Sequence, residues 1–339
     1  MTTATRITLA SRPKGAPTPE NFALQTADLP APGPGEFALK TLWLSLDPYM
    51  RGRMDDAESY APAVQIGEAM TAQGVGEVTA SNHPDYQPGD IVLAPTGWAS
   101  AGVFDGEGCR KIDPSAAPIQ TALGPLGMPG FTAFVGLNDI GAAKSGETIV
   151  VSAATGAVGS MVGQLAKAKG LRVIGVAGGA QKCDFAVSEL GFDACFDHHA
   201  HDAKSLSAAI AEAAPQGVDL YYENVGGKTT EATISNMNTH GRIIVCGMIA
   251  WYSGKGIAEA APAPYYWRNI LTRRLRVQGF IIFDHNDRFD AFFKEVAPML
   301  ADGQLKYRET VTEGLKNAPE AFIGMLNGQN FGKQLVRVA

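Results

Sequence analysis

Residues 148–170 read TIVVSAATGAVGSMVGQLAKAKG, and this stretch decides the fold. A β-branched apolar run, TIVVSAA, enters a glycine turn. Beyond the turn Val158, Met161, Val162, Leu165 and Ala166 fall at i, i+3, i+4 spacing, the inner face of a helix that packs on a sheet. Ala154-x-Gly156-x-x-Gly159 is a dinucleotide fingerprint with alanine in place of its first glycine. At Gly156 the backbone can approach a pyrophosphate, and Gly159 lets the helix sit close to the strand. The helix N-terminus then offers N–H donors to the anion. A tight turn that binds nothing is the alternative. The position between a strong strand and a strong helix favours the cofactor.

Outward from this unit the chain alternates. Strand-like runs follow at 172–177, 194–198, 218–225, 242–249 and 276–282, with helical stretches at 156–169, 181–190, 203–213 and 228–239. Gly170, Gly191, Gly217 and Gly241 close the helices as C-terminal stops. Alternation of this kind predicts a doubly wound parallel sheet, a Rossmann domain. A long loop is expected at 250–275, and a further helix at 286–301. Residues 1–122 read differently. GVGEVTASNHPDYQPGDIVLAPTGW (74–98) alternates short β-branched runs with turn signals, as a small barrel does. The expected organisation is a β-barrel domain at 1–122, a Rossmann domain at 123–305, and a return to the first domain at 306–339.

Bulk properties narrow the function. With 339 residues, two cores are expected rather than one. The formal net charge is −6 and no basic run exists, which argues against a nucleic-acid groove and against anchoring on anionic membranes. No segment has the apolar length of a membrane span, and MTTATRITLASRPKG lacks the apolar core of a signal peptide. Cys109, Cys183, Cys195 and Cys246 are scattered, as reduced thiols in the cytoplasm would be.

The second strand ends in VIGVAGGAQK (173–182). Chains that use NAD place a carboxylate here for the adenosine ribose. Gly178 and Gly179 leave that place open, and Lys182 follows. A carboxylate would repel a 2′-phosphate, whereas open space and an ammonium accept one. Lys182 as an ordinary surface lysine is the other reading.

AATGAVGSMVGQLAKAKG, YYENVGG (221–227), GRIIVCGMI (241–249) and AFIGMLNGQNFGKQLVRV (321–338) together resemble the medium-chain dehydrogenase/reductase superfamily. LSLDPYMRGRM (44–54) and SYAP (59–62) narrow the resemblance to its zinc-independent branch of prostaglandin (leukotriene) reductases, plant double-bond reductases and bacterial curcumin reductases. The resemblance implies an α/β protein with a GroES-like barrel domain and a Rossmann domain, NADP(H) between them, and a homodimer joined through Rossmann sheet edges. It implies that Gly156, Ala157, Val158 and Gly159 hold the pyrophosphate, with Gly178, Lys182 and His198 around the 2′-phosphate. Asn224, Cys246, Gly247, Tyr252, Phe280, Ile281 and Ile282 would surround the nicotinamide half. Asn330 and Gly332 would reach the cofactor from the tail, and Met128 and Thr132 would lie at the domain junction. His198 stands where mammalian members have a tyrosine. A metal site of His198, His199 and His201 is the competing reading of FDHHAHD (196–202), and it lacks an obvious carboxylate or cysteine partner in the right geometry.

Zinc-dependent relatives offer a cysteine and a Gly-His-Glu. Here Ile66-Gly67-Glu68 has no histidine, and no cysteine precedes Cys109. No metal is therefore expected, and alcohol oxidation would lack its Lewis acid. The expected chemistry is reduction of the C=C bond of an α,β-unsaturated ketone or aldehyde, with hydride going to the β-carbon. A hydroxyl donor would stabilise the enolate oxygen. Tyr252, Tyr49 and Tyr60 are the candidates. A tyrosine proposed as catalytic in mammalian members falls near Thr272, with Tyr265 and Tyr266 close by in sequence. An apolar substrate site of Tyr49, Met54, Tyr60, Met128, Trp251, Tyr252 and Phe283 is expected. An NADPH quinone reductase of the same superfamily and a non-catalytic NADPH-binding protein remain as alternatives.

Overall fold

The computed structural model describes residues 2–254 and 256–339. Two compact units emerge, Met1–Gly127 with Glu309–Ala339, and Met128–Arg308. The first unit begins with β1 (Thr2–Leu9) and β2 (Phe22–Leu29), an antiparallel pair in which Leu9 faces Phe22. Strands β3 (Phe37–Ser45), β4 (Gly74–Ser81), β5 (Ile91–Ala94), β6 (Ala101–Phe104) and β7 (Arg110–Ile112) follow.

The second unit opens with α1 (Met128–Val135). It continues through β8 (Thr148–Ser152), α2 (Gly159–Ala168), β9 (Arg172–Ala177), α3 (Ala180–Ser188), β10 (Ala194–Asp197), α4 (Ala203–Ala213), β11 (Val218–Glu223) and α5 (Lys228–Ile234). Then come β12 (Met237–Val245), α6 (Ala263–Arg273), β13 (Arg276–Gly279) and α7 (Phe289–Ala301). The six strands pair in parallel in the order β10-β9-β8-β11-β12-β13. The order reverses between β8 and β11, which makes the C-terminal ends of those strands the topological switch point where such sheets bind ligands. All five residues of β8 are buried, as a central parallel strand covered on both faces must be. Met161, Val162, Leu165 and Ala166 are buried along α2, so its apolar face is the one the spacing predicts.

The tail returns to the first unit with β14 (Glu309–Glu313), α8 (Ala318–Leu326) and β15 (Lys333–Arg337). Strand β15 pairs antiparallel with β3, completing a seven-stranded sheet in the order β14-β15-β3-β4-β5-β7, with β6 also on β3. Its anchor is aromatic. Phe322 of α8 packs edge-on against the fully buried Trp98, which stacks on Phe22 at 5.5 Å. Residues 123–127 stay with this unit because Ala122 and Leu123 pack with Val75, Leu93 and Leu335.

Several elements differ from the sequence expectation. Helix α6 occupies part of 250–275, where a loop is expected. Pro262 caps it and Pro264 sits in its first turn, a position where the missing N–H costs nothing. Strand β13 stops at Gly279, so Ile281 and Ile282 lie beyond it, and a 3-10 turn at Ile282–Arg288 precedes α7. Helix α5 ends at Ile234 and β12 begins at Met237, inside the helix expected at 228–239.

Candidate functional site

Strand β8 delivers the chain into Ala153, a left-handed residue with φ 50°. The N–H of Gly156 closes the turn on the Ala153 carbonyl at 2.8 Å. Helix α2 then starts at Gly159. A Cβ there would lie 2.2 Å from the Ala153 oxygen, so a side chain would push the helix off the strand end. Gly156, Ala157 and Val158 remain partly exposed between strand and helix.

One strand over, β9 ends at Ala177. A Cβ on Gly178 would stand 3.0 Å from His198 Nε2 and 3.1 Å from His199 Cε1. Gly179, at φ 94°, turns the chain into α3. Asp197, at the end of β10, accepts from the N–H groups of Gly179 (2.7 Å) and His199 (2.9 Å), which holds its pKa below the usual carboxylate value. Cations converge around this turn. His198 is pushed down to about 4, first by burial, then by the charges of His199 and Lys228, with Lys182 adding to them and Asp197 opposing. Burial also lowers Lys182. Lys228, at the start of α5, donates to the His201 carbonyl at 2.8 Å. Among the described residues no group of three or more His, Cys, Asp or Glu is placed to hold a metal ion.

At the switch point a buried carboxylate sits beneath partly exposed residues held by main-chain hydrogen bonds. Asn224 donates its backbone N–H to Ser152 Oγ and its Nδ2 to the Ser152 carbonyl, both at 2.8 Å. Glu223 is 3 % exposed. Its Oε1 accepts from Ser152 Oγ (3.1 Å), Val225 N (2.7 Å) and Gly226 N (2.9 Å), and its Oε2 from Thr230 Oγ1. The Glu223 carbonyl accepts from Cys246 N (2.9 Å) and Gly247 N (3.0 Å). Burial pushes the Cys246 thiol up to about 12, so it stays protonated. Tyr252 Oη accepts from Met248 N at 3.2 Å and lies where a Cβ on Gly247 would meet it at 3.0 Å. Asn224, Cys246, Gly247 and Tyr252 therefore form one group. Phe280, Ile281 and Ile282 follow β13, one strand further along, with Ile282 buried. Thr132 spends its hydroxyl on the Met128 carbonyl at 2.7 Å, and its own carbonyl accepts from the buried Tyr222 hydroxyl. Thr272 and the neighbouring Tyr265 and Tyr266 lie on α6, where Tyr265 Oη donates to the Glu231 carbonyl at 2.9 Å.

The first unit carries the remaining candidates. Tyr49 is half-buried against the core, where burial and then the Asp47 charge push its hydroxyl pKa up. Tyr60 is 51 % exposed, with the Arg53 guanidinium 5.3 Å from its ring centroid. Asn330 donates to the Gly332 carbonyl at 2.8 Å, and Gly332 turns at φ 80° into Lys333. Lys333 is buried, donating to Asp47 Oδ1 at 2.5 Å and to the Leu46 carbonyl at 2.9 Å. Met54 departs from the expected substrate lining: it is fully buried in the core with Leu44, Met50 and Phe322.

Residues 5–112 match the family described as N-terminal domain of oxidoreductase, and residues 157–299 that described as zinc-binding dehydrogenase. The chain is 49 % identical to the NADPH-dependent curcumin reductase of Escherichia coli, covering 98 % of this chain and 96 % of that protein. It is 40 % identical to the NADP⁺-dependent 2-alkenal reductase of Nicotiana tabacum, covering 91 % and 88 %. The crystal structure of CurA in complex with NADPH from Vibrio vulnificus superposes with a TM-score of 0.93 at 49 % identity, covering 99 % of each chain. The chain belongs to the zinc-independent medium-chain dehydrogenase/reductase family of double-bond reductases.

Sequence reading of this double-bond reductase missed five polar residues. Glu223 and Asn224 stand together in YYENVGG, yet only the asparagine drew attention, because nothing local marks a carboxylate as buried. Lys228 directly follows the paired glycines of the same motif, and that position was its available signal. Asp197 precedes His198 and serves the backbone. Lys333 and Asp47 are far apart in the chain, so no local pattern joins them.

Proposed function

We propose that this chain reduces the C=C bond of α,β-unsaturated ketones and aldehydes with NADPH. The carrying observation is the turn at Gly178–Gly179, which has no carboxylate side chain of its own and packs against His198 and His199, with the charges of Lys228 and Lys182 acting on His198. Such a turn fits a phosphate dianion and disfavours an unphosphorylated ribose. Gly156 to Gly159 hold the pyrophosphate, and Lys182, His198 and Lys228 hold the 2′-phosphate. Asn224, Cys246, Gly247 and Phe280 to Ile282 bound the nicotinamide half, with Met128 and Thr132 of the same unit as further contacts.

When bound, NADPH supplies the hydride that goes to the β-carbon of the substrate. The protein's share is to hold the carbonyl oxygen as charge develops on it. Tyr252, whose Oη accepts from the Met248 N–H beside Gly247, is the candidate nearest the nicotinamide contacts. Burial raises the pKa values of Tyr49 and Tyr60, so each keeps its proton and is a candidate hydrogen-bond donor to the enolate oxygen, while the α-carbon takes its proton from solvent water to complete the saturated product. The reading extends to a homodimer through sheet edges. Every residue of the edge strand β13 is exposed, and Trp267 and Leu271 of α6 are 67 % and 76 % exposed. No helix among the described residues is long and apolar enough to cross a membrane. The four free cysteines fit a cytoplasmic location.

The test is NADPH oxidation across enones, enals and quinones of graded size, with products identified by mass spectrometry. The saturated carbonyl compound is expected from enones and enals, with deuterium from C4-labelled NADPH on the β-carbon. Oxidation by quinones alone, or stoichiometric NADPH binding with no turnover, would overturn the proposal.

A further inference from the structure

Glu223 is the most connected buried carboxylate of the second unit, and no step of the proposed reaction uses it. Its four side-chain donors come from three places: Ser152 at the end of β8, Val225 and Gly226 in the loop after β11, and Thr230 on α5. Through its own carbonyl it also takes the N–H groups of Cys246 and Gly247, just beyond β12. The loop it braces continues the same ladder, with Ile249 N on the Asn224 carbonyl and Ala250 N on that of Val225. Among the described residues no lysine, arginine or histidine pairs with it. A buried carboxylate with four donors and no counter-ion contributes geometry more than it contributes attraction.

We propose that Glu223 is a positioning residue for hydride transfer. Its carboxylate locks the end of β8, the loop after β11 and α5 into one frame and so sets where Asn224 stands, against the Cys246 and Gly247 N–H groups that its main-chain carbonyl holds in every variant. This rests on the reading of those residues as the nicotinamide contacts. The phosphate contacts are made by other atoms, at Gly156–Gly159 and around Gly178; the frame reaches them only through the end of β8 and through α5, which carries Lys228, so a change at Glu223 is expected to move cofactor placement more than affinity. The inference therefore separates cofactor affinity from cofactor placement.

Glu223→Asp keeps the carboxylate and shortens its reach by one methylene. Glu223→Gln keeps the reach, with the amide oxygen replacing Oε1 for its three donors and Thr230 Oγ1 turning to accept from the amide. Each variant is checked for cooperative unfolding, then titrated with NADPH while the fluorescence anisotropy and lifetime of the bound nicotinamide are recorded. Single-turnover enone reduction follows at saturating NADPH. A displacement of the order of 1 Å costs about 10- to 100-fold in rate. The Asp variant is therefore expected to lose at least about tenfold in hydride transfer and to show a more mobile nicotinamide, with the NADPH Kd within about threefold of wild type. The Gln variant is expected to restore both. The inference is overturned if the Asp variant transfers hydride at the wild-type rate. It is equally overturned if Gln fails as badly as Asp, or if Kd and rate weaken in proportion. Should the Asp variant not fold, Ser152→Ala removes one donor and the Asn224 acceptor, and the same split must appear. A wild-type protein that immobilises the nicotinamide but reduces no enone would refute the proposed reaction and leave the fluorescence comparison to judge Glu223.

Discussion

The two ends of the candidate cofactor site are built on opposite principles. Around Gly178 the chain is open and partly exposed, and cations crowd a turn from which a side chain has been removed. Around Glu223 a buried carboxylate ties the end of β8 and the loop after β11 to α5, and the main-chain carbonyl of the same residue holds the chain just beyond β12. The first arrangement holds a half-buried His198 whose pKa falls first through burial and then through the neighbouring His199 and Lys228 charges, which a phosphate would offset. The second is satisfied by the protein itself. On the proposed reading, the first end generates affinity and selectivity and the second holds geometry.

The largest expected effect comes from placing a carboxylate at the open end. In Gly178→Asp the new Cβ meets the ring ends of His198, at 3.0 Å, and His199, at 3.1 Å, both of which must give way. Like-charge juxtaposition costs several kcal/mol, so the preference for NADPH over NADH is expected to fall about 100-fold, read as the ratio of the two Kd values. Lys182→Ala should follow at about 10- to 100-fold on the same ratio, from a charge-assisted hydrogen bond worth about 1.5–3 kcal/mol, with NADH affinity unchanged. An unchanged ratio would move selectivity to His198 and Lys228. At the other end, Tyr252→Phe removes one hydroxyl and should lower kcat about 10- to 100-fold while NADPH affinity holds. Unchanged turnover would leave Tyr49 and Tyr60 as the donors.

The smallest effect is a pH dependence. His198 titrates near 4 in the folded chain against an ordinary 6.5. A phosphate beside it raises that value, so NADPH binding takes up protons between those limits and, by linkage, tightens relative to NADH as pH falls. A few-fold change in the Kd ratio from pH 7 to 5.5 is expected, and calorimetry in two buffers should show the uptake disappear in His198→Ala. The same depression carries a cost in stability. The unfolded chain binds this proton first, so the folded state loses stability as pH falls from 6.5 toward 4.

The two ends also differ in how they could be read from sequence. The β8–α2 unit was legible because its buried run and its glycines lie within one short window and obey local geometry. The missing carboxylate at 178–179 was legible for the same reason. Glu223 was not, because burial is decided by Ser152, Val225, Gly226 and Thr230 together, and a sequence shows only a charged residue before an asparagine. Helix α6 was hidden by its own surface. Trp267 and Leu271 are exposed, so no buried stripe announced a helix among the prolines and tyrosines of that segment. Lys333 and Asp47 meet only after the tail has returned to β3.

One paired measurement tests the division of labour directly: NADPH Kd and single-turnover hydride transfer at saturating cofactor, for Lys182→Ala and Glu223→Asp side by side. The expected result is a crossing, with Lys182→Ala weakening binding at an unchanged saturated rate and Glu223→Asp slowing transfer at nearly unchanged binding. If both variants lose binding and rate together, the two ends act as one site and the account is wrong.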